Sequence, residues 1–521
     1  MKSGARIAVL VVVALVAVGV GTLLSVGSHG TSQTTAATLP AKAKPTKPKA
    51  APRPPAGSTS INLAGKAAGP AVPNGFVGLA TEFWDVEKLE GTNPNKPDTA
   101  FEHLLEGLAP GSTPYMRVGG DSTDWTWWPV PGMKKPPWVH MSLTPNWAAV
   151  MKRLTTDTKA KLMLGIEMEA DNPKISNYEA SQLSKRIGVK NIDAYEVGNE
   201  PELYYAFPFY KVNGQKVRGR QANYNWGGIA PDWSKMAGSL PKGGPALAGP
   251  GWAMPNALPH NPPLMTQRNH PATVTLHTYP LKAARCTPGQ PPLTEADLFK
   301  PSSLQGLAGV VGQWTRQLGK YHAKLRAAEM NAITCNGDPK ISNSFGPALW
   351  ALNILADYVG TGDSGVNFDF EPQSSQHLIR AKQTKSGWTV QVNPTYYGLL
   401  AFGQAAPAGS QMIPMPKLPA GIIGFAAKTK TGQTNVVLTN TNAKAQTINV
   451  NVPGAKSGAS LRLLSAKGGV SSGGPVTLGG QSISPTTGQL AGKPVSHPVT
   501  RTSKGYSVPV PGNAAAIVNV G

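Results

Sequence analysis

From residue 76 to residue 371, short apolar runs of four to seven residues alternate with longer stretches whose apolar positions recur at spacings of three and four. The short runs predict strands at Phe76–Thr81, Tyr115–Val118, Leu162–Met168, Ala194–Val197, Ala246–Gly249, Thr273–His277, Leu325–Ala328 and Gly365–Phe368. The longer stretches predict helices at Trp147–Thr158, Tyr178–Ile187, Leu304–Tyr321 and Ser344–Tyr358. Buried strands alternating with crossover helices imply a parallel sheet, and eight of them suffice to close an α/β (β/α)8 TIM barrel. The segment from Phe207 to Pro263, rich in Gly, Pro, Asn and Trp, reads as an elaborated loop over the C-terminal face of that barrel.

Beyond about Pro407 the pattern changes to alternating apolar and polar residues between Gly- and Pro-rich turns. Thr434–Asn440, Ala445–Val452, Ser460–Leu464 and Ala514–Val520 then read as half-buried strands of a C-terminal antiparallel β-sandwich, with Ser60–Leu63 as an added N-terminal strand. The expected division is a catalytic barrel over residues 61–405 and a β-sandwich over residues 406–521. With 40% apolar residues, 12 Trp, 13 Tyr and 11 Phe, the chain has material for both cores and is not a disordered polymer.

Charge is partitioned unevenly. Residues 1–60 hold seven Lys and Arg and no carboxylate, residues 372–521 hold thirteen and again none, and all 27 acidic residues fall between. The net +22 therefore belongs to the ends, and the middle is nearly neutral. A carboxylate-free C-terminal region suits an anionic polymer such as an acidic or cell-wall polysaccharide, though solubility alone would also account for it.

The first thirty residues, a basic start and then an apolar run from Ile7 to Leu24, read as a signal peptide or membrane anchor. Residues 31–60, mostly Ala, Pro, Lys and Thr, read as a stiff cationic spacer. The protein is thus expected outside the cytoplasm, secreted or held to the membrane by its N-terminal segment. In that setting the only two cysteines, Cys286 and Cys335, are expected to form a disulfide beside Glu329. No His or Cys cluster has metal-ligand spacing, so no metal is expected, and no nucleic-acid partner is assigned.

Two carboxylates stand at strand ends. Tyr195-Glu-Val-Gly-Asn-Glu-Pro201 closes the fourth predicted strand, and Arg326-Ala-Ala-Glu-Met-Asn331 closes the seventh. Two Glu residues at such positions are what a retaining glycosidase on a parallel barrel needs, one as acid/base and one as nucleophile. That mechanism needs only carboxylates and water, so no organic cofactor is expected either. Together with His277-Thr-Tyr279, Arg117-Val-Gly-Gly-Asp-Ser-Thr-Asp124, Gly365-Val-Asn-Phe368 and Tyr396-Tyr-Gly398, they make the chain resemble clan A retaining glycosidases. Within that clan the resemblance is to glycoside hydrolase family 79, the β-glucuronidases and heparanase-like enzymes. Val476-Thr-Leu-Gly-Gly480 and Tyr506-Ser-Val-Pro-Val-Pro-Gly512 extend it to that family's C-terminal β domain.

The resemblance implies Glu200 as acid/base and Glu329 as nucleophile. It implies that Asn199 bonds the sugar 2-hydroxyl, that Tyr279 orients Glu329, and that Glu82 contacts sugar unless it is spent in a buried salt bridge. Trp125, Trp127 and Trp128 could stack on sugars, but packing is expected for at least two of the three. Glu167 and Glu169 share one strand face and either bind substrate or balance Lys161 and Arg117. The loop after Glu329 departs from the family, offering Thr334, Asn336 and Gly337 as hydrogen-bond donors where a Tyr would be usual. Asp121 stands where Asn is expected and Asp369 where His is expected. The leading expectation is an exo-acting β-glucuronidase working by double displacement. An endo-acting hydrolase of an acidic polysaccharide and a non-catalytic glycan- or wall-binding barrel are the alternatives.

Overall fold

The computed structural model describes residues 51–455 and 458–521. The expected signal or anchor and all but the end of the spacer lie outside the described residues. Among the described residues, no helix is long and apolar enough to cross a membrane.

Eight parallel strands close the barrel: Val77–Glu82 (β1), Tyr115–Gly119 (β2), Lys161–Ile166 (β3), Ile192–Val197 (β4), Ala246–Trp252 (β5), Thr273–Thr278 (β6), Lys324–Met330 (β7) and Val366–Asp369 (β8). Each lies next to its successor, and β8 pairs with β1. The strands are buried on both faces, one by the helical ring and one by the barrel interior, which is why they read as unbroken apolar runs. Tyr115, Met163, Ala194 and Ala248 fill one interior layer.

Several helices begin a turn earlier than their apolar periodicity suggests, because Asx or Thr caps followed by Pro start them. Thr144 accepts from the Trp147 amide ahead of Pro145–Thr158, and Asn172 accepts from the Lys174 amide ahead of Pro173–Ile187. The segment from Phe207 to Pro263 is not only loop. It contains the β4–β5 crossover helix Trp226–Ser239, formed despite Gly227, Gly228 and Pro231 because Ile229, Trp233 and Met236 bury one face against the barrel. The helix Pro394–Ala405 after β8, capped by Asn393, likewise went unforeseen.

The C-terminal sandwich is one curled ten-stranded sheet. Its turning point is His497–Thr502, whose first half pairs with Ala459–Ala466 and whose second half pairs with Gly505–Val510. Thr59–Asn62 joins the edge of the sheet, but parallel to Gln446–Asn451 rather than antiparallel. Ile61, Val436, Leu438, Ile448, Leu461, Val508 and Val518 form the core between the layers. Period-two alternation sends Val437, Leu464, Ala515 and Ile517 the other way, into the barrel's core cluster. The buried bond from Asn353 Nδ2 to Thr439 Oγ1, 2.9 Å, ties the two units at that seam.

Cys286 and Cys335 are disulfide-bonded, joining the loops after β6 and β7. The same two loops are also linked by backbone bonds from Leu281 to the Ala332 carbonyl and from Thr334 to the Leu281 carbonyl.

Many carboxyl groups are sequestered. Burial, reinforced by Glu102 and Asp98, pushes Glu90 up to about 10. Burial alone dominates in raising Asp363 to about 8, and burial with Asp124 raises Glu169 to about 9. Such groups are protonated in the fold and ionised in the unfolded chain at neutral pH, so the folded state binds more protons and stability falls as pH rises above the ordinary carboxyl range, about 4 to 4.5. The urea midpoint is therefore predicted to be higher at pH 5.5 than at pH 9, and Glu90→Gln to flatten that slope. A midpoint that rises with pH over this interval would contradict the assignment.

Candidate active site

Arg117 lies on β2, two residues beyond Tyr115 and on the same inward face, and is fully buried. A buried guanidinium requires anionic or carbonyl partners, and it has three. Nε donates to Glu196 Oε2 at 2.7 Å, Nη1 to Glu329 Oε1 at 2.5 Å, and Nη2 to Asn199 Oδ1 at 2.9 Å. One side chain thus fixes residues from the ends of β4 and β7.

The turn after β4 is strained where function would need it. Gly198 has φ +76°, and a Cβ there would press on Met168 and on the Tyr204 hydroxyl. Glu200 is left-handed at φ 49°, an uncommon conformation for a side-chain-bearing residue. Its amide donates to the Gly251 carbonyl at 2.9 Å, which holds the turn against β5. On β7 a register shift at Ala328 brings Glu329 beside His277 of β6.

The result is a compact constellation. His277 Nδ1 lies 2.7 Å from Glu200 Oε1 and 3.3 Å from Glu329 Oε2. Carboxylate oxygens of Glu200 and Glu329 lie within 4.8 Å of one another and of that imidazole. The Tyr279 hydroxyl is 2.9 Å from Glu329 Oε2 and 3.0 Å from Asp369 Oδ2. Burial would push Glu329 up, but His277, Arg117 and the Tyr279 bond outweigh it and hold the group below its usual range. Burial would likewise lower His277, yet Glu329 and Glu200 raise it to about 9, so the imidazole is cationic at neutral pH.

Asn199 accepts from Arg117 through Oδ1, and its backbone amide goes to Asp124 and Tyr204. Its side-chain NH2 has no protein partner and remains available to a ligand. Glu82 is not spent in a salt bridge with a basic residue. Its two oxygens accept the backbone amides of Asp121 and Ser122, at 3.1 and 2.7 Å, and so shape the turn after β2. Gly120 is required there, since a Cβ would collide with that carboxylate.

In the loop after β7, the backbone amides of Thr334 and Gly337 and the side-chain amide of Asn336 already donate within the protein. Thr334 Oγ1 accepts from the Ala283 amide and its own amide goes to Leu281. Asn336 Nδ2 donates to Glu371 at 2.8 Å, and the Gly337 amide goes to the Thr334 carbonyl. Neither Glu167 nor Glu169 balances Arg117 or Lys161: Glu167 accepts from the Ala170 amide, and both lie against Asp124. Trp127 and Trp128 are buried packing residues, while Trp125, half-buried, stacks on Trp84 and His140.

Three more carboxyls surround the pair. Asp121 is exposed at the cleft floor and has no side-chain partner in the protein. Desolvation by the surrounding walls, then Glu200 and Glu329, push it up to about 7. Burial and Glu329 raise Asp369 well above its ordinary value, and burial raises Glu371. Among the described residues, Glu200, His277 and Glu329 form the one group of three ligand-type side chains close enough to share a cation. A cation there would meet the Arg117 guanidinium and a cationic His277, so the arrangement favours proton and charge transfer over metal binding.

Arg117, His277, Glu196 and Asp121 complete the site, and of these the sequence reading assigned no role to Glu196 or His277. A signal was present for Arg117, since an Arg between Met116 and Val118 in a buried strand must be paired.

The chain matches no family model and no curated protein sequence. Solved structures do resemble it. A 4-O-α-L-rhamnosyl-β-D-glucuronidase from Fusarium oxysporum 12S aligns with TM-score 0.69 at 15% identity, over 88% of this chain and 99% of that one. The GH51 arabinofuranosidase from Xanthomonas axonopodis pv. citri aligns with TM-score 0.64 at 15% identity, over 89% and 100%. CelM2, a bifunctional glucanase-xylanase from a metagenome library, aligns with TM-score 0.56 at 13% identity, over 89% and 99%. The likeness is one of fold, a TIM barrel with a C-terminal β domain, and it spans nearly the whole described chain.

Replacing Arg117 by Met leaves Glu196 buried without its cation and Glu329 with His277 as its remaining one. The predicted loss is about 3–5 kcal/mol at pH 8, read from urea denaturation. The loss should shrink at pH 5, where the two carboxyls can protonate. A loss below about 1 kcal/mol at pH 8 would show that Arg117 does not anchor the site.

Proposed function

We propose that this protein is a retaining β-glycoside hydrolase with Glu329 as nucleophile and Glu200 as acid/base. The observation that carries the reading is the pair itself: two carboxylates within 4.8 Å across the barrel mouth, one of them held ionised by His277 and Arg117. Retention needs carboxyl groups about 5–5.5 Å apart, whereas inversion needs roughly 6.5–9.5 Å to admit a water.

Glu329 attacks the anomeric carbon while Glu200 gives its proton to the departing glycosidic oxygen, so that one C–O bond forms and one breaks. Esterification removes the negative charge at Glu329, and Glu200, now ionised, takes a proton from water. That water attacks the same carbon and releases Glu329 as a carboxylate. The free NH2 of Asn199 is placed to donate to the sugar 2-hydroxyl, a contact that strengthens as positive charge develops on the ring. Tyr279 holds Oε2 of Glu329, and Arg117 holds Oε1.

The finer expectation, an exo-acting β-glucuronidase of family 79, draws support from the sequence motifs and from the likeness of fold to a rhamnosyl-glucuronidase. The surroundings of the pair weigh the other way. Once ionised, Asp121 would repel a substrate carboxylate, and the backbone amides of Thr334 and Gly337 and the side-chain amide of Asn336 already have protein partners. We therefore favour a neutral sugar at the cleaved position. The disulfide and the N-terminal apolar run support an exported protein.

The test is hydrolysis of 4-nitrophenyl β-glycosides, neutral and glucuronic, with proton NMR of the first anomer released. The expected product is the β anomer, with neutral sugars cleaved faster. An α anomer released first would overturn the mechanism. Activity equal in wild type and Glu200→Gln, even with an unactivated leaving group, would overturn the residue assignment.

Asp121 ionises as pH rises through about 7, so any glucuronide-to-neutral activity ratio should fall across that pH, and Asp121→Asn should flatten the fall. Tyr279→Phe removes a bond to an ionised carboxylate, about 1.5–3 kcal/mol. It should lower kcat/KM roughly 10- to 150-fold and move the acid limb of its pH profile upward. An unmoved acid limb would show that Tyr279 does not hold the ionised form of Glu329.

A further inference from the structure

A cavity of about 340 Å³ opens at the seam between the barrel and the β domain. Its barrel wall includes Pro110 and Gly111, in the loop that leads into β2, and Gln404 from the helix Pro394–Ala405. A loop that precedes a barrel strand lies at the N-terminal end of the barrel, opposite the face that carries Glu200 and Glu329. The cavity is thus separate from the catalytic cleft.

The other wall follows from alternation along the strands. In Ala459–Ala466, Leu461 points into the sandwich core, whereas Ser460, Arg462 and Leu464 face the barrel. Leu464 packs there, but toward the sheet's margin the same face turns polar, with Ser460, Arg462 and Asn519 lining the opening beside Lys430 and Gln433.

Arg462 is the distinctive group. It is half-buried, and its hydrogen bond runs from Nη1 to Gln404 Oε1 at 2.9 Å, a neutral acceptor. No carboxylate lines the cavity, and no Asp or Glu exists anywhere from residue 372 to the C-terminus. A partly desolvated guanidinium ordinarily has an anionic partner, and here the chain supplies none. Its remaining donors present a fork suited to a bidentate oxyanion. Around it stand amides and hydroxyls, Gln433, Ser460 and Asn519, which match sugar hydroxyls. The volume is within the range of small-ligand sites, about 300–1,000 Å³.

We propose that this seam cavity binds an oxyanion-bearing sugar unit, so that the β domain holds an anionic glycan while the barrel acts at its other face. The oxyanion follows from charge alone. That a glycan carries it rests on the glycosidase reading.

The experiment is calorimetric titration of the full-length protein with four probes: a galacturonic-acid hexamer, a glycerol-phosphate oligomer, free glucuronate, and cellohexaose as the neutral control. The proposal expects binding of the galacturonic-acid hexamer or free glucuronate in preference to cellohexaose, weakened by salt. Arg462→Gln should weaken it at least about tenfold, with unchanged hydrolysis of small aryl glycosides. Binding of free glucuronate without the hexamer would keep the sugar unit and drop the polymer, whereas binding of the glycerol-phosphate oligomer with neither uronic probe would overturn the sugar assignment. Because Arg462 is partly buried, Lys430→Glu at the exposed rim gives a second reading and should also weaken binding. Equal affinity for cellohexaose, no binding by any anionic probe, or undiminished binding by both folded variants would overturn the proposal. The readout is binding, so a failure of catalysis would leave it standing.

Discussion

The buried guanidinium of Arg117 is the interaction on which the site depends. It is a cation in the barrel interior, tolerable only because the ends of two strands, β4 and β7, bring three acceptors to it. In satisfying it, the fold fixes Glu329, Glu196 and Asn199 relative to one another to within a hydrogen bond. The same charge helps keep Glu329 ionised where burial alone would protonate it. Removing that cation would strand the Glu196 carboxylate and raise the proton affinity of Glu329.

Around that centre the protein concentrates carboxyl groups to an unusual degree. Some, such as Glu82, act as backbone acceptors that shape turns. Others, such as Asp121 and Asp369, lie beside Glu329 and titrate well above their ordinary values. The β domain is the opposite case, with thirteen basic residues and no acid beyond residue 371.

The architecture was largely legible in the sequence because buried parallel strands are continuous apolar runs, and all eight expected runs correspond to barrel strands. The two Glu at the ends of β4 and β7 were legible for the same reason, since strand ends define the mouth. Helix starts were read late, because caps at Thr144 and Asn172 lie outside the apolar period. The helix Trp226–Ser239 was hidden by its Gly and Pro content, which tertiary burial of Trp233 overrides. What sequence could not reach were contacts between residues far apart in the chain. Nothing in the spacing of Arg117 and Glu329 joins them; the barrel closure does. The occupation of Thr334 by the loop after β6 and of Asn336 by Glu371 after β8, and the seam around Arg462, likewise appear only once the loops and sheets are folded against each other.

The most direct test of the account is to trap the covalent intermediate. The full-length protein would be incubated with a 2-deoxy-2-fluoro-β-glycosyl fluoride of whichever sugar it hydrolyses, followed by intact-mass and peptide analysis. The account predicts a single glycosyl adduct on the peptide containing Glu329, absent from Glu329→Gln. An adduct on Glu200 or on another residue, or an active enzyme that never accumulates one, would contradict it.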